Sequence, residues 1–302
     1  MLKVKLGNTE FDTPILVASG TYGYGNEVEG LADVSKFGGI ITKSVTRLPR
    51  EGNPPPRIAE TAAGMLNSIG LANLGVEGYC KEKMPFLNEL ATKIIINVAG
   101  TTMSDYIETF EILEDHGGNH VGYEINISCP NVKEGGMEFG VSPDMTEELT
   151  KELRKRTERL LIMKLSPNVT CIQDIGLAAE AGGADAVSAI NTVVGMGIDV
   201  KKRAVKLHTI YGGLSGPAIK PVALACVHKL SKVLSIPIIG LGGISTAEDV
   251  LEFILAGSDL VQVGTINYKH PDRGMTICDE LIAFCKENDL SNILDLKGQL
   301  DK

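Results

Sequence analysis

The sequence predicts an α/β protein built as a (β/α)8 barrel, with inserted loops at the C-terminal face of the strands. Short β-rich runs recur eight times along the 302 residues, and stretches with helical periodicity separate them. Several runs are almost entirely apolar, which is typical of parallel strands covered on both faces. Eight such units favour a closed barrel over a doubly wound sheet, which usually has fewer strands. With no linker or repeat in the chain, we expect one domain over residues 1–302.

The elements can be placed in order along the chain. The predicted strands cover residues 15–19, 39–44, 94–99, 123–128, 161–166, 186–191, 237–242 and 260–264. A helix is expected over residues 245–257, because Ser245 and Glu248 can form a capping box and Gly257 can end the helix. Residues 146–159 predict a second helix, whose charges on all sides are typical of the solvated exterior of a barrel.

Three inserts account for the extra length of the chain. They cover residues 46–75, 130–145 and 193–221, and each follows the C-terminal end of a predicted strand. Active sites of (β/α)8 barrels lie at this face, so the inserts are expected to surround the site. The second insert contains Gly135, Gly136 and Gly140, and we expect it to close over a bound substrate.

Composition excludes several classes of protein. The chain has 29 Lys and Arg against 38 Asp and Glu, a net charge of −9, which argues against nucleic acid as a partner. Its apolar runs are too short to span a membrane, and its N-terminal residues do not resemble a secretion signal, so a cytoplasmic location is expected. The six cysteines lack the spacing of a zinc or iron–sulfur site, so no metal is expected on this chain.

Glycines at the last strand ends predict a phosphate site. The segments GLGGIST (240–246) and VGTI (263–266) end the seventh and eighth strands, and Gly216 lies in the insert after the sixth. Loops at these positions often present backbone N–H groups to a phosphate, which glycine lets approach closely. The alternative is that these are ordinary tight-turn glycines. Both substrates and FMN carry phosphate, so this site alone does not identify the reaction.

Polar residues cluster at the other strand ends, where a buried amide is costly unless it is hydrogen-bonded. Three asparagines and two lysines in such positions favour a planar ligand with amide-type edges over a purely structural role. The cluster contains Ser19, Lys43, Ser44, Asn97, Asn126, Ser128, Cys129, Lys164, Asn191 and Thr192.

Two members of this cluster carry distinct chemical hypotheses. Lys164 could form a Schiff base or act as a fixed cation beside an anionic cofactor, and the absence of an obvious proton shuttle favours the cation. Cys129 could be a general base with a locally lowered pKa, or a buried loop thiol.

Taken together, these segments resemble the dihydroorotate dehydrogenases, FMN-dependent barrel enzymes of pyrimidine biosynthesis. The similarity covers essentially the whole chain in family order. The matching segments are LVASGTYG (16–23), ITKSVT (41–46), NSIGLAN (67–73), INVAG (96–100), EINISCPNVKEGG (124–136), MKLSPN (163–168), INTVVGMGID (190–199), GGLSGPAIKP (212–221), IGLGGI (239–244) and VGTI (263–266).

The resemblance also indicates a class within the family. The membrane-associated class uses a serine base and an N-terminal membrane segment, whereas this chain has Cys129. The stretches NVKEGGMEFG and NTVVGMGIDV look like the NAD-linked class, whose catalytic chain works beside a subunit carrying FAD and a 2Fe–2S cluster, in a heterotetramer of two chains of each kind. The alternatives are the fumarate-linked homodimeric class and a non-redox Schiff-base lyase using Lys164.

By resemblance, the chain binds one FMN and converts dihydroorotate to orotate. Cys129 would be the base at C5, assisted by Lys43 and Lys164. The FMN pocket would be formed by Ser19, Lys43, Ser44, Asn97, Asn126, Lys164, Ile190, Gly216, Gly242, Gly243, Gly264 and Thr265. The substrate pocket would be formed by Lys43, Asn67, Ser68, Ile69, Gly70, Leu71, Asn126, Asn191 and Thr192.

Overall fold

The structure is a computed structural model that describes residues 1–128 and 139–300. In chain order, the strands of these ranges are β1 (Val4–Leu6), β2 (Thr9–Phe11), β3 (Ile15–Val17), β4 (Gly39–Ile41), β5 (Ile58–Thr61), β6 (Gly64–Asn67), β7 (Lys93–Ala99), β8 (Gly122–Asn126), β9 (Leu160–Leu165), β10 (Ala186–Ala189), β11 (Val193–Met196), β12 (Ile198–Asp199), β13 (Ala204–Val205), β14 (Tyr211–Ser215), β15 (Ile238–Leu241) and β16 (Leu260–Val263). The helices are α1 (Gly75–Glu82), α2 (Met84–Leu87), α3 (Met103–His116), α4 (Pro143–Arg154), α5 (Ile172–Ala181), α6 (Lys220–Ser231), α7 (Ala247–Ala256) and α8 (Arg273–Glu287).

Eight parallel strands close into a barrel, in the order β3, β4, β7, β8, β9, β10, β15, β16 and back to β3. Each coincides with one of the eight strands predicted from the sequence, so the predicted (β/α)8 class is confirmed. The observed strands are mostly shorter at their C-terminal ends. The residues just beyond them form the loops of the barrel mouth.

An apolar layer and an N-terminal hairpin close the opposite end of the barrel. Side chains from seven barrel strands form this layer with the hairpin, namely Leu16, Ile41, Ile95, Leu160, Ile162, Ala186, Ile239 and Leu260. The antiparallel strands β1 and β2 place Val4, Leu6 and Phe11 against them. The hairpin was not predicted, because strands of three residues give too short an alternation to recognise.

The two predicted helices exist, with different starts. The capping box of α7 uses Thr246 and Asp249: Thr246 Oγ1 accepts from Asp249 N at 3.1 Å, and Asp249 Oδ2 accepts from Thr246 N at 2.9 Å. The predicted Ser245–Glu248 box is therefore wrong by one residue. The cap at Thr246 fixes a register that buries Val250, Phe253 and Ile254. Gly257 ends this helix as expected, with a φ of 121°.

The second helix, α4, begins at Pro143 instead of residue 146 and ends at Arg154. Ser142 caps it, and proline suits the first helical turn, where the missing N–H has no helical partner. The last part of the insert 130–145 is thus helical.

No helix in the described ranges is both long and apolar enough to cross a membrane.

The first and third inserts combine into a four-stranded antiparallel sheet, in the order β11, β14, β6, β5. This sheet was not predicted. It brings Asn67 of the first insert opposite Gly213 of the third, with Asn67 Nδ2 3.3 Å from Gly213 O. Segments almost 150 residues apart in the chain therefore act as one unit beside the barrel mouth.

A buried histidine lies between the barrel and α3. The Tyr123 hydroxyl donates to Glu114 Oε1 at 2.6 Å and lies 2.7 Å from His120 Nε2. Because the hydroxyl has one hydrogen, His120 donates through Nε2, and its buried Nδ1 has no hydrogen-bond partner in the part of the chain that the structure describes. Burial, aided by the charge of Arg159, lowers the pKa of His120 to about 3.

This histidine should make the fold sensitive to acid. The unfolded chain takes up the proton near pH 6.5 and the folded chain only near pH 3. The free energy of unfolding therefore keeps its full value above pH 6.5 and decreases as the pH falls below it, because protons bind preferentially to the unfolded chain. The contribution between pH 7 and pH 5 is about 2 kcal/mol. We expect His120→Gln to lose less free energy of unfolding over this interval than the parent chain, measured by urea denaturation. Equal losses in both proteins would contradict the assignment.

Candidate active site at the barrel mouth

Above the apolar layer, the barrel interior becomes polar. Asn97, Lys164, Ser188 and Gln262 each follow a residue of the apolar layer by two positions in the same strand. Because side chains alternate along a strand, these four also face the interior. Glu124 of β8 lies among them, and all five are buried.

Glu124 is the centre of this layer. Its Oε1 accepts from Asn97 Nδ2 at 2.7 Å and from Lys164 Nζ at 3.1 Å. Its Oε2 accepts from Ser188 Oγ at 2.9 Å and from Gln262 Nε2 at 2.5 Å. The side chain is 0% exposed, and four donors from four other strands satisfy its charge.

Sequence reasoning did not select Glu124, Ser188 or Gln262. The signal was present, since each is a polar residue in a largely apolar strand, as Asn97 and Lys164 are. The Glu124 carboxylate beside Lys164 was not expected, so the lack of a nearby acid no longer separates the two hypotheses for this lysine. Lys164 Nζ lies 3.1 Å from Glu124 Oε1 in a buried ion pair, and this geometry favours the fixed cation.

Asn97 links the buried layer to the next strand. Its Oδ1 accepts from Ser44 Oγ at 2.6 Å, while its Nδ2 is bound to Glu124. Ser44, Asn97 and Lys164 thus belong to one connected network.

Asparagines form the rim of the mouth. Asn126 Oδ1 accepts from Asn191 Nδ2 at 3.1 Å, and Thr192 N donates to Asn191 Oδ1 at 2.8 Å. These residues are only partly buried, so their remaining polar atoms can reach a ligand. Asn168, not selected from the sequence, steadies the rim by donating to Thr192 O at 3.0 Å and accepting from Val194 N at 2.9 Å.

Lys43 and Ser19 lie in the loops just beyond β4 and β3, two neighbouring strands of the barrel. Lys43 is half-buried, and burial lowers the pKa of its ammonium, with Glu27 opposing the change. Ser19 donates through Oγ to Thr42 O at 2.8 Å.

The predicted substrate segment 67–71 is tied to the sheet of the two inserts. Ser68 Oγ lies 2.5 Å from Thr209 Oγ1, and Asn53 N donates to Ile69 O at 3.0 Å. Gly70 and Leu71 have φ values of 76° and 56°. A Cβ at Gly70 would lie 2.6 Å from Asn53 N, so this turn requires glycine.

The predicted phosphate glycines meet where three loops converge. Gly216 and Gly243 have φ values of 93° and 80°, and a Cβ at Gly243 would lie 2.9 Å from Gly216 O. Thr265 donates through Oγ1 to Ser215 Oγ at 2.8 Å, which joins the eighth loop to this pair. The other predicted members of this corner are Gly242, Gly264 and Ile190. A Cβ at Gly242 would lie 3.6 Å from Ile190 Cγ1, and one at Gly264 would lie 3.3 Å from Ala18 Cβ.

Cys129, the predicted base, lies outside the described residues, as does most of the predicted closing loop, including Gly135 and Gly136. Ser128, immediately before it, places Oγ 3.4 Å from Lys164 O at the mouth. Among the residues with described structure, no cluster of three or more His, Cys, Asp or Glu side chains is arranged to hold a metal ion.

A comparison with protein families decides the family. The family model for dihydroorotate dehydrogenase matches residues 1–285. The chain belongs to this family. This match confirms the resemblance inferred from the sequence motifs. Members of the dihydroorotate dehydrogenase family are flavin-dependent oxidoreductases.

Individual relatives agree with this assignment. A protein of Geotalea uraniireducens is 46% identical over 299 residues, covering 99% of this chain and 98% of its own length. A protein of Phocaeicola vulgatus is 45% identical, covering 99% of both chains, and one of Thermodesulfovibrio yellowstonii is 44% identical, covering 99% of this chain and 98% of its own. All three are named dihydroorotate dehydrogenase B (NAD(+)), catalytic subunit, a name that implies a partner subunit for those proteins.

Proposed function

We propose that this chain is the FMN-containing catalytic subunit of an NAD-linked dihydroorotate dehydrogenase, which oxidises dihydroorotate to orotate in pyrimidine biosynthesis in the cytoplasm. The observation that carries the proposal is the polar network of the barrel mouth. It holds Lys164 as a fixed cation beside Asn97, below a rim of asparagine amides, in a chain of this family.

The residues present fit FMN. A Cβ at Gly243 would lie 2.9 Å from Gly216 O, so the two loops pack closely here, and glycine loops of this kind can present backbone N–H groups to a phosphate group. The Lys164 ammonium has three N–H donors, and one is used by Glu124. The remaining donors suit the flavin edge that becomes negative on reduction. The other residues of the proposed FMN pocket are Ser19, Lys43, Ser44, Asn97, Asn126, Ile190, Gly242, Gly264 and Thr265.

The half-buried rim residues suit a pyrimidine carboxylate. Lys43 can face the carboxylate, and the amides of Asn67, Asn126 and Asn191, with Thr192, match alternating ring donors and acceptors. The turn formed by Ser68, Ile69, Gly70 and Leu71 is hydrogen-bonded to Thr209 and Asn53, and we propose that it orients that ring.

The proposed base is Cys129, whose thiolate accepts the proton from C5 of dihydroorotate. FMN, when bound, supplies the acceptor for the hydride that leaves C6. The chain's own contribution is to orient the ring, to hold a cation beside the cofactor and to remove the C5 proton.

A partner subunit is required by this proposal. The sequence has no GxGxxG motif after a strand at the head of a βαβ unit and no cysteine spacing for an iron–sulfur cluster. The relatives are named catalytic subunits of an NAD(+) enzyme. We therefore propose that electrons reach NAD+ through a subunit with FAD and a 2Fe–2S cluster, in a heterotetramer of two chains of each kind.

The test is the electron acceptor of the isolated chain. With dihydroorotate, the purified FMN-loaded chain should reduce an artificial dye but should form NADH negligibly at 340 nm. The electron-transfer subunit of the same host should restore NADH formation. An NADH rate of the isolated chain equal to its dye rate would overturn the two-subunit proposal, and reduction of fumarate at the dye rate would assign the chain to the fumarate-linked class.

A further inference from the structure

The Lys164–Glu124 pair differs from the other ion pairs of the described ranges. Its two side chains are 8% and 0% exposed, and no other pair there has both partners below 10%. Taking two charges out of water is costly, and apolar replacements of such pairs are often as stable. The chain nevertheless places the pair in the polar layer directly below the mouth, which indicates a role besides stability.

The Glu124 carboxylate is bonded to Lys164 and to three neutral donors at the same time. Glu124 Oε1 binds Lys164 and Asn97, and Oε2 is fixed from the other side by Ser188 and Gln262. The carboxylate therefore cannot turn away from the lysine without losing these contacts. A lysine held at one end by a fixed anion has both its position and its electrostatic effect set by that anion.

We propose that Glu124 is a positioning residue that fixes the Lys164 ammonium and partly offsets its charge, and thereby sets the reduction potential of the flavin. This inference rests on the proposed FMN site. An uncompensated cation stabilises anionic reduced flavin strongly, whereas a paired cation stabilises it less. Glu124 thus holds the potential below the value that Lys164 alone would give.

A glutamine can replace Glu124 without breaking the network. Gln262 Oε1 is buried and has no hydrogen-bond partner among the described residues, so its amide can be turned over. In Glu124→Gln, Oε1 can accept from Lys164 and Asn97, while Nε2 donates to Ser188 Oγ and to the turned Gln262 Oε1. The substitution then removes the negative charge and retains the contacts.

The experiment measures the midpoint potential of bound FMN by redox titration against an indicator dye. The parent chain, Glu124→Gln and the surface control Glu111→Gln are compared, together with the dissociation constant of FMN. Glu111 pairs with Arg156 on the helix surface, far from the polar layer. We expect Glu124→Gln to favour reduced over oxidised flavin at least ten-fold more than the parent, a positive shift of about 30 mV. The control should show no shift.

A second variant tests the same point if the single one does not fold. Glu124→Gln with Gln262→Glu keeps one carboxylate in the layer and moves it away from Lys164, so a smaller positive shift is expected. A potential equal to that of the parent in the variants that fold overturns the proposal, and so does failure of both to fold, which would make Glu124 purely structural. If the parent does not bind FMN, or bound FMN is not reduced by dihydroorotate, the proposed function itself fails.

Discussion

Replacing Cys129 with serine is expected to slow the reduction of bound flavin by dihydroorotate by roughly 10²–10⁴ at neutral pH, the usual contribution of a positioned base. A serine hydroxyl is far harder to ionise than a thiol, whereas the near-equal size leaves the pocket amides in place. FMN and orotate should therefore bind as in the parent chain. Stopped-flow absorbance of the flavin measures the rate directly, without the electron-transfer subunit.

A matched control is available in Cys171, which precedes α5 and hydrogen-bonds to Gln173. Cys171→Ser makes the same chemical change outside the proposed site, so its rate of flavin reduction should equal that of the parent. An unchanged rate in Cys129→Ser would remove Cys129 from the mechanism. Equal slowing in both variants would show that the effect is not specific to residue 129.

Replacing Lys164 with methionine is expected to lower the free energy of unfolding of the flavin-free chain by about 3–5 kcal/mol. The reason is that Glu124 would keep a negative charge in the barrel interior with only neutral donors around it. Urea denaturation of the chain without FMN measures the change. Adding Glu124→Gln to the same variant removes the charge and should recover much of the loss.

The control for this prediction is an exposed lysine. Lys151 pairs with Glu147 one turn away on α4, and their side chains are 53% and 36% exposed. Lys151→Met should change the free energy of unfolding by less than about 1 kcal/mol, because exposed pairs contribute little. If Lys164→Met is no more destabilising than Lys151→Met, the carboxylate is not held as a charged partner.

The barrel could be predicted because its strands lie in almost entirely apolar runs that alternate eight times with helical stretches. The hairpins of the inserts could not, since β14 contains two glycines and β12 and β13 have two residues each, too few to show a period of two. The start of α4 was placed late because Pro143 was not recognised as a first-turn residue.

The candidate site was predicted through its lone polar residues, and the choice among them was incomplete. Asn97 and Lys164 were selected, but Glu124, which binds both, was not. Which residues bond to one another depends on the register between strands, such as Asn97 opposite Glu124 and Asn126 opposite Lys164. That register is a property of the closed barrel and is not visible in any one segment.

Closure of the barrel has a consequence for synthesis on the ribosome. The barrel is completed when β16 pairs with β3, and the Met1 carbonyl oxygen accepts a bond from Ile293 N at 2.9 Å. The first barrel strand, β3, therefore gains its second neighbouring strand only after β16 has been synthesised, about 245 residues later. Until then the nascent chain has an unpaired edge at β3, which is open to pairing with other chains.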